Sequence, residues 1–211
     1  RELTTVATIG VGDARAMAAR ATQWSTYPHL KIKLSAESPV EKMRAIRDAR
    51  PHATLVVDAN QAWSFAELQE YLPALRDLDI AMIEQPLARG GDAELEGFES
   101  PIPLGADESC LSLAEYEEAA AKYDVINIKL DKCGGLTEAL AMVEAAQTAN
   151  KRLMVGNMTG SSLSMAPSFV VGQHCEFVDI DGPLLLQYDI DHGLRYTPEG
   201  RVSPPTPELW G

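Results

Sequence analysis

Residues 30–34 read Leu-Lys-Ile-Lys-Leu, and this short alternation decides the fold prediction. In an extended strand successive side chains point to opposite faces, so the two lysines share one face and the isoleucine and the second leucine share the other. Lysines are almost never buried without partners, whereas the apolar face needs a cover. The stretch therefore predicts a strand that packs helices on its outer face and directs Lys31 and Lys33 into a charged opening.

Similar strands recur along the whole chain, with helical patterns between them. The candidates are TTVATIGV (4–11), LKIKL (30–34), TLVVDAN (54–60), AMIEQP (81–86), IPLGADES (102–109), DVINIKL (124–130), RLMVGNM (152–158) and CEFVDID (175–181). Regular strand–helix alternation predicts an α/β protein with a parallel sheet. Eight strands in 211 residues favour a TIM-type barrel as a single domain over residues 1–211. A doubly wound open sheet is the alternative, which the lack of a Gly-rich nucleotide fingerprint after the first strand weakens.

Three serine-led patterns signal helix starts. SPVEK at 38–42 predicts a serine N-cap with proline at the first helical position. SFAE at 64–67 and SLAE at 112–115 predict capping boxes, in which serine and glutamate bond each other's backbone amides. The connection at 90–100, GGDAELEGFES, has room for only a short helix.

The composition limits the partners and the setting. A formal net charge of −13 argues against nucleic acid and anionic membrane surfaces as partners. No run of about 18 apolar residues occurs, so we expect no membrane span, and the first residues show no signal-peptide pattern. Three widely spaced cysteines, Cys110, Cys133 and Cys175, fit a reduced, cytoplasmic setting.

Charged residues end most of the strand candidates, at the edge where barrels of this type place their active sites. Asp58, Glu84 and Asp107 end three consecutive strands, the third, fourth and fifth. All three are hard oxygen donors, a composition that favours Mg²⁺ over zinc. The alternative is a set of unrelated ion pairs with the lysines.

Lysines end two strands that lie nearly opposite each other in an eight-stranded barrel. Lys33 ends the second strand and Lys129 the sixth. Bases on either side of one carbon can remove a proton from one face and return it to the other. Lys31, a like charge close to Lys33, would assist by favouring the neutral amine of Lys33. With a metal that stabilises charge on a substrate carboxylate, these residues predict racemisation or epimerisation α to that carboxylate.

The last strand ends in two acids. Residues 175–183 read CEFVDIDGP, and Asp179 and Asp181 share one face by period two. Because like charges repel, the pair predicts a positive group between them. An ion pair with a protein cation, or a cap on the following turn, is the alternative. Asp189 and Asp191 repeat the spacing further on, where we expect a solvated loop.

Five motifs in fixed order, KIK (31–33), DANQAW (58–63), EQP (84–86), GADES (105–109) and NIKLDKCGG (127–135), resemble the enolase superfamily in its muconate-lactonizing-enzyme subgroup. The resemblance covers nearly the whole chain. It implies a modified (β/α)₇β barrel with one essential Mg²⁺ on the three acids named above. It also implies acid–base catalysis by the two opposed lysines, assisted by the first lysine of KIK.

The D-x-D formed by Asp179 and Asp181 resembles the mark of dipeptide epimerases, where it binds the α-ammonium of the substrate's N-terminal residue. The missing positive charge would then belong to a ligand. The resemblance implies a dipeptide substrate, first of all L-Ala-D/L-Glu, a murein fragment, with further contacts from Asn60, Met158 and Ser161.

Relatives in this family carry an N-terminal capping domain ahead of the barrel, and many form homo-oligomers. We expect residues 1–211 to be the barrel domain without that cap. Lys132 does not fall on the family's catalytic position, and we expect it at the surface or packed against its loop. Gly134 and Gly135 predict a tight turn after it.

Other activities stay open at this point. Muconate-type cycloisomerases, o-succinylbenzoate synthases and N-acylamino acid racemases share the metal and the lysines, and only the D-x-D counts against them. A barrel that binds metal or peptide without turnover is the alternative of another class.

Overall fold

The computed structural model describes all residues, 1–211, as ten strands and eight helices. The strands are β1 (Leu3–Thr4), β2 (Ala7–Ile9), β3 (His29–Lys33), β4 (Thr54–Asp58), β5 (Ile80–Glu84), β6 (Leu104–Ala106), β7 (Val125–Lys129), β8 (Arg152–Gly156), β9 (Phe177–Val178) and β10 (Arg201–Val202). The helices are α1 (Ala14–Gln23), α2 (Pro39–Ala49), α3 (Phe65–Asp77), α4 (Tyr116–Lys122), α5 (Leu130–Cys133), α6 (Leu136–Thr148), α7 (Ser162–Gly172) and α8 (Pro207–Trp210). None of these helices is both long enough and apolar enough to span a bilayer.

Strands β2 to β9 form one parallel sheet in chain order. The sheet curls until its last strand returns to its first, where the Val6 amide donates to the Val178 carbonyl at 2.9 Å. The Thr8 amide donates to a carboxylate oxygen of Asp181 at 2.8 Å on the same seam. The predicted modified TIM-type barrel is confirmed, and strands β1 and β10 pair antiparallel in a separate two-stranded sheet.

The interior of the barrel has two layers. A small apolar cluster fills the lower layer and consists of Val56, Met82, Val125, Met154 and Phe177. Two residues further along these five strands the inward positions are charged or polar on four of them and Gly156 on β8, while the outward positions join the helices in one continuous core. Apolar side chains therefore pack on the outer face of the sheet and fill the inner layer that comes first along the strands. The inner layer nearer the C-terminal strand ends holds the polar and charged side chains.

The predicted helix starts are confirmed in part. The capping box at 64–67 is present, with the Ser64 amide donating to Glu67 at 2.7 Å and the Glu67 amide donating to the Ser64 hydroxyl at 3.3 Å. Pro39 is the first residue of α2 as predicted, but Ser38 has a φ of +47° and its side chain makes no capping bond. The connection at 90–100 holds only a short 3₁₀ turn, Ala93–Leu95.

The capping box predicted at 112–115 is wrong. Ser112 makes no capping bond, and the Glu115 carboxylate accepts a hydrogen bond from the Leu111 amide at 2.8 Å instead. Residues 113–115 form a 3₁₀ turn, and α4 begins only at Tyr116. The spacing of serine and glutamate could not show that the Glu115 carboxylate would accept a hydrogen bond from the Leu111 amide and not from the Ser112 amide.

Candidate active site

A cavity of about 250 Å³ opens at the C-terminal ends of the barrel strands, the edge predicted to carry the site. Its wall is mostly polar. The lining residues are Thr8, Lys31, Lys33, Asn60, Asp107, Glu108, Lys129, Lys132, Asn157, Met158, Thr159, Asp179, Asp181 and Leu185.

Lys31 is buried at the floor of this cavity among three carboxylates. Its Nζ lies 3.1 Å from Asp58, 2.8 Å from Glu84 and 2.9 Å from Asp179. Burial opposes the charge, but the three carboxylates outweigh it and hold the pKa of Lys31 well above its ordinary value. Three acids therefore balance the charge of Lys31, and its predicted assistance to Lys33 stays a prediction.

Lys33 and Lys129 reach the cavity from the two sides predicted, at the ends of β3 and β7. Lys33 Nζ lies 3.0 Å from Asp58 Oδ2 and donates to Asn60 Oδ1 at 3.0 Å, and its side chain is 38% exposed. Lys129 is buried, and its Nζ lies 2.7 Å from Asp107 Oδ2. The structure thus brings both candidate acid–base groups to one cavity, each resting on a carboxylate of a different strand.

Lys132 also lines this cavity, a place that the prediction of a surface or loop-packing lysine did not include. Its Nζ donates to Asp107 Oδ1 at 2.8 Å, while Lys129 donates to Oδ2 of the same carboxylate. Burial alone would raise the pKa of Asp107, but the two ammonium groups hold it below its ordinary value. Lys132 lies in the one-turn helix α5, which is followed by Gly134 with a φ of +90°, and this helix brings its side chain back to the carboxylate beside the end of β6.

The three predicted metal ligands lie on neighbouring strands. Asp58 and Glu84 are paired in register, and Asp107 directly follows the next strand. Burial opposes ionisation of Asp58, yet Lys31 and Lys33 hold its pKa at about 2. At Glu84, burial and then the charges of Asp58 and Asp107 outweigh Lys31 and raise the pKa to about 7.

The charges and donors of this site fit a hard divalent cation. Six carboxyl groups at the cavity and its floor face four lysines, so the site has two more acids than cations. Glu84 Oε2 accepts no hydrogen bond, although Lys31 Nζ lies 2.8 Å away, and Glu108 Oε2 is also buried without a donor. Carboxylate oxygens are the ligands that Mg²⁺ prefers. No three acidic, histidine or cysteine side chains are gathered around one point, and the three acids contact lysines instead.

Asp179 and Asp181 are both buried in the cavity wall but have different partners. Asp179 accepts hydrogen bonds from Lys31 at 2.9 Å and from Asn157 Nδ2 at 3.2 Å, so a protein cation already balances it. Asp181 accepts from the Thr8 amide and forms no ion pair. Burial, and then the charge of Asp179, raise the pKa of Asp181 to about 7. Asp181 is the member of the D-x-D that lacks a cation.

Of the other three predicted contact residues, two line the cavity and one does not. Asn60 and Met158 line the cavity, whereas Ser161 is outside it, because the chain there turns into α7 and Ser161 becomes the residue before that helix. Asp189 and Asp191 are both exposed in a loop, as predicted. Asp189 also accepts a hydrogen bond from the Ser162 amide at 2.9 Å, which connects this loop to the start of α7.

Asparagines at two inward positions escaped the sequence prediction. Asn127 lies two residues before Lys129 on the same strand face, and its Nδ2 donates to Glu84 Oε1 at 2.7 Å. Asn157 directly follows β8, and its Nδ2 donates to the Asp179 carbonyl at 2.6 Å. The sequence signal for Asn127 was its place two residues before Lys129, and the signal for Asn157 was its place at the end of a strand.

The fold and site together define an α/β-barrel domain with a lysine-flanked carboxylate centre at the C-terminal ends of its strands. Residues 13–207 match the family model described as Enolase C-terminal domain-like, and the chain belongs to that family. The resemblance inferred from the ordered motifs is therefore confirmed.

Relatives of known name are epimerases and racemases. The chain is 41% identical over 204 residues to an N-acetyl-D-glutamate racemase of Pseudoalteromonas sp, covering 97% of this chain and 64% of the relative. It is 40% identical over 189 residues to the L-Ala-D/L-Glu epimerase of Escherichia coli (strain K12), covering 90% of this chain and 59% of the relative. The chain thus spans about three fifths of these relatives.

Solved structures agree in fold. An enolase family member from Agrobacterium tumefaciens with homology to dipeptide epimerases, solved with bound sodium and L-Ala-L-Glu, superposes with a TM-score of 0.96 at 44% identity. That match covers 100% of this chain and 64% of the other. A dipeptide epimerase from Cytophaga hutchinsonii, complexed with Mg and D-Ala-L-Val, gives a TM-score of 0.91 at 30% identity and covers 97% of this chain and 59% of the other.

Proposed function

We propose that this chain is the catalytic barrel of a Mg²⁺-dependent isomerase that epimerises the C-terminal residue of a dipeptide at its α-carbon, with L-Ala-D/L-Glu as the first candidate substrate. One observation carries the proposal. Lys33 and Lys129 enter one cavity from opposite sides of the barrel, above three buried carboxylates on adjacent strands. The names of the relatives support the same reaction class.

The two lysines would act in turn on one carbon. One of them, as the neutral amine, removes the α-proton from its side, and the other, as the ammonium, returns a proton from the opposite side. For the opposite stereoisomer the roles are exchanged. Mg²⁺, when held by Asp58, Glu84 and Asp107, would stabilise the negative charge that develops on the substrate carboxylate.

Lys31 would keep the buried acids in place during this cycle. Its Nζ contacts Asp58, Glu84 and Asp179, so it links the metal end of the cavity to the D-x-D end. Its raised pKa keeps it protonated, which suits an electrostatic role better than a role as base.

Asp181 would select the dipeptide. It is buried, faces the cavity and has no protein cation, so a substrate α-ammonium would provide the missing charge. Asp179 would contribute less to ammonium binding because Lys31 already contacts it. Further predicted contacts from Asn60 and Met158 remain compatible with their place in the cavity wall.

Racemisation of an N-acylated amino acid is the second candidate function, because one relative is an N-acetyl-D-glutamate racemase. Such a substrate has no α-ammonium for Asp181. Cycloisomerase and o-succinylbenzoate synthase activities share the metal and lysines, but no relative described above has either name. The cytoplasmic setting, the homo-oligomer and the capping domain remain predictions.

The test is proton NMR in D₂O, on the protein with whatever sequence naturally flanks residues 1–211. L-Ala-L-Glu and N-acetyl-L-glutamate are compared with added Mg²⁺ and with EDTA. We expect metal-dependent loss of the Glu α-proton signal and appearance of the second diastereomer from the dipeptide. Faster exchange of N-acetyl-glutamate would replace the first candidate with the second, and no exchange of either would refute the proposal.

A further inference from the structure

Behind the wall of the cavity lies a buried hydrogen-bond network that the reaction itself does not use. Its centre is Gln85, which is fully buried and directly follows the candidate metal ligand Glu84. Gln85 has a φ of +38°, a region that a residue with a side chain occupies only when its surroundings hold it there.

Gln85 bonds three neighbouring strand ends. Its side-chain oxygen accepts hydrogen bonds from the backbone amides of Asp107 at 2.9 Å and Ser109 at 3.0 Å. The backbone amide of Gln85 donates to the Gly105 carbonyl at 2.7 Å, and its backbone carbonyl accepts from the backbone amide of Gln61 at 2.8 Å. The backbone on both sides of the Asp107 carboxylate is therefore fixed by one side chain.

The orientation of the Gln85 amide group is set from behind. Its Nε2 donates to the Leu87 carbonyl at 2.9 Å, and it also lies 2.9 Å from Ser109 Oγ and 3.0 Å from Tyr123 OH. Both hydroxyls donate onward to Asp92 Oδ2, at 2.6 Å and 2.8 Å. Because both hydroxyls donate their protons to Asp92, they act as acceptors toward Gln85, as the Leu87 carbonyl does, and the side-chain oxygen of Gln85 therefore faces the Asp107 backbone.

Asp92 is suited to be the fixed acceptor at the far end. It is buried, and its other oxygen lies 3.0 Å from Lys122 Nζ. Burial would raise the pKa of Asp92, but the hydrogen bonds from Ser109, Lys122 and Tyr123 hold it below its ordinary value. None of these four side chains, Gln85, Asp92, Ser109 and Tyr123, borders the cavity, whereas Asp107 does.

We infer that Asp92, Tyr123, Ser109 and Gln85 form a positioning network that holds the Asp107 carboxylate in the orientation needed to bind the metal and Lys129. This inference rests on the proposed function for its catalytic consequence, but not for its structural one. The residues act through Asp107 and do not touch substrate.

The test compares Tyr123→Phe and Asp92→Asn with the matched control Tyr116→Phe. Tyr116 is also buried, and its hydroxyl donates to the Ala145 carbonyl at 3.3 Å, away from the cavity. Three quantities are measured on each protein: amide hydrogen exchange at Asp107 and Ser109 by NMR, affinity for Mg²⁺ alone by calorimetry, and kcat and KM.

We expect amide exchange at Asp107 and Ser109 to accelerate about tenfold in Tyr123→Phe and Asp92→Asn and to stay unchanged in Tyr116→Phe. Mg²⁺ affinity should fall about tenfold or more in the same two variants, with kcat reduced more than KM is raised. Equal thermal shifts in all three variants, with exchange and Mg²⁺ affinity as in the wild type, would overturn the inference.

The outcomes separate this inference from the proposed function. If the wild-type protein turns over neither substrate, the proposed function fails, while faster exchange at Asp107 in Tyr123→Phe still supports the positioning network. If the wild-type protein epimerises the dipeptide and both network variants keep wild-type kcat and amide exchange, the positioning network fails alone.

Discussion

At the scale of the residue, Asp179 and Asp181 divide two tasks that their spacing suggested they would share. Asp179 is bound to Lys31, and Asp181 is bound only to a backbone amide. Replacing Asp179 would leave the buried Lys31 with one carboxylate fewer and disturb the metal end through Asp58. Asp181 is therefore the position at which ammonium recognition can be tested alone.

Asp181→Asn is expected to raise KM for L-Ala-L-Glu about tenfold or more, because a charge-assisted hydrogen bond to the ammonium is lost. The asparagine oxygen can still accept from the Thr8 amide, so the barrel seam should survive. Steady-state kinetics, with N-acetyl-L-glutamate as the control substrate without an ammonium, measure the effect. An equal loss on both substrates would show that Asp181 has no role in ammonium binding.

The raised pKa of Asp181, about 7, predicts a pH dependence of binding. An ammonium binds the ionised carboxylate, so dipeptide affinity should fall as pH drops below about 7, and binding near that pH should release protons. Calorimetry in two buffers of different ionisation enthalpy counts these protons. Proton release of the same size from Asp181→Asn would contradict the assignment.

The raised pKa of Asp181 also predicts the direction in which the free energy of unfolding changes with pH. Between the ordinary pKa of a carboxyl and about 7, the folded protein binds more protons at Asp181 than the unfolded chain does. The contribution of Asp181 to the free energy of unfolding therefore falls as pH rises through this window and stays low above it. Urea titrations of the ligand-free protein across this range should show a smaller decline in Asp181→Asn than in the wild type.

At the scale of the element, β8 leaves space for a lysine of β7. A Cβ on Gly156 would lie 2.7 Å from both Lys129 Cε and Asn127 Oδ1. We expect Gly156→Ala to displace Lys129 and lower kcat about 100-fold, in the range of a lost acid–base group. Gly105→Ala is the matched control on β6, because its Cβ would meet only the flexible Met82 Sδ closely, at 2.9 Å.

Kinetics and thermal unfolding of both glycine variants test this prediction. Comparable losses of stability with a far larger loss of kcat in Gly156→Ala would support the assignment of Lys129. Equal kcat values in the two variants would mean that the position of Lys129 is not critical to the reaction.

The alternation of apolar and charged residues predicted the strands well, because it depends only on residues close together in the sequence. The alternation of Lys31 and Lys33 with apolar residues sufficed to direct both lysines into the barrel, where the structure has them. The position of Lys132 depended on the direction of a one-turn helix, and the failed capping box on a competing amide. Both depend on backbone geometry that a residue pattern does not fix.

At the scale of the whole molecule, the barrel interior keeps its apolar packing and its buried charged residues in separate layers. An apolar floor of five side chains lies below a layer of buried charge. The sequence indicated which residues carry this charge but not how they pair, because the Lys31–Asp179 contact joins residues 148 positions apart. Which acid was free for a ligand could thus be known only from the closed barrel.

The central claim is that Lys33 and Lys129 serve opposite faces of one α-carbon. The most direct measurement is α-proton exchange in D₂O for Lys33→Met and Lys129→Met, each with L-Ala-L-Glu and L-Ala-D-Glu, because methionine keeps much of the stem and removes the ammonium. We expect each variant to lose epimerisation by about 10²- to 10⁴-fold while retaining exchange of only one diastereomer, a different one in each variant. A variant that still exchanges both diastereomers, or two variants that retain the same one, would contradict the account.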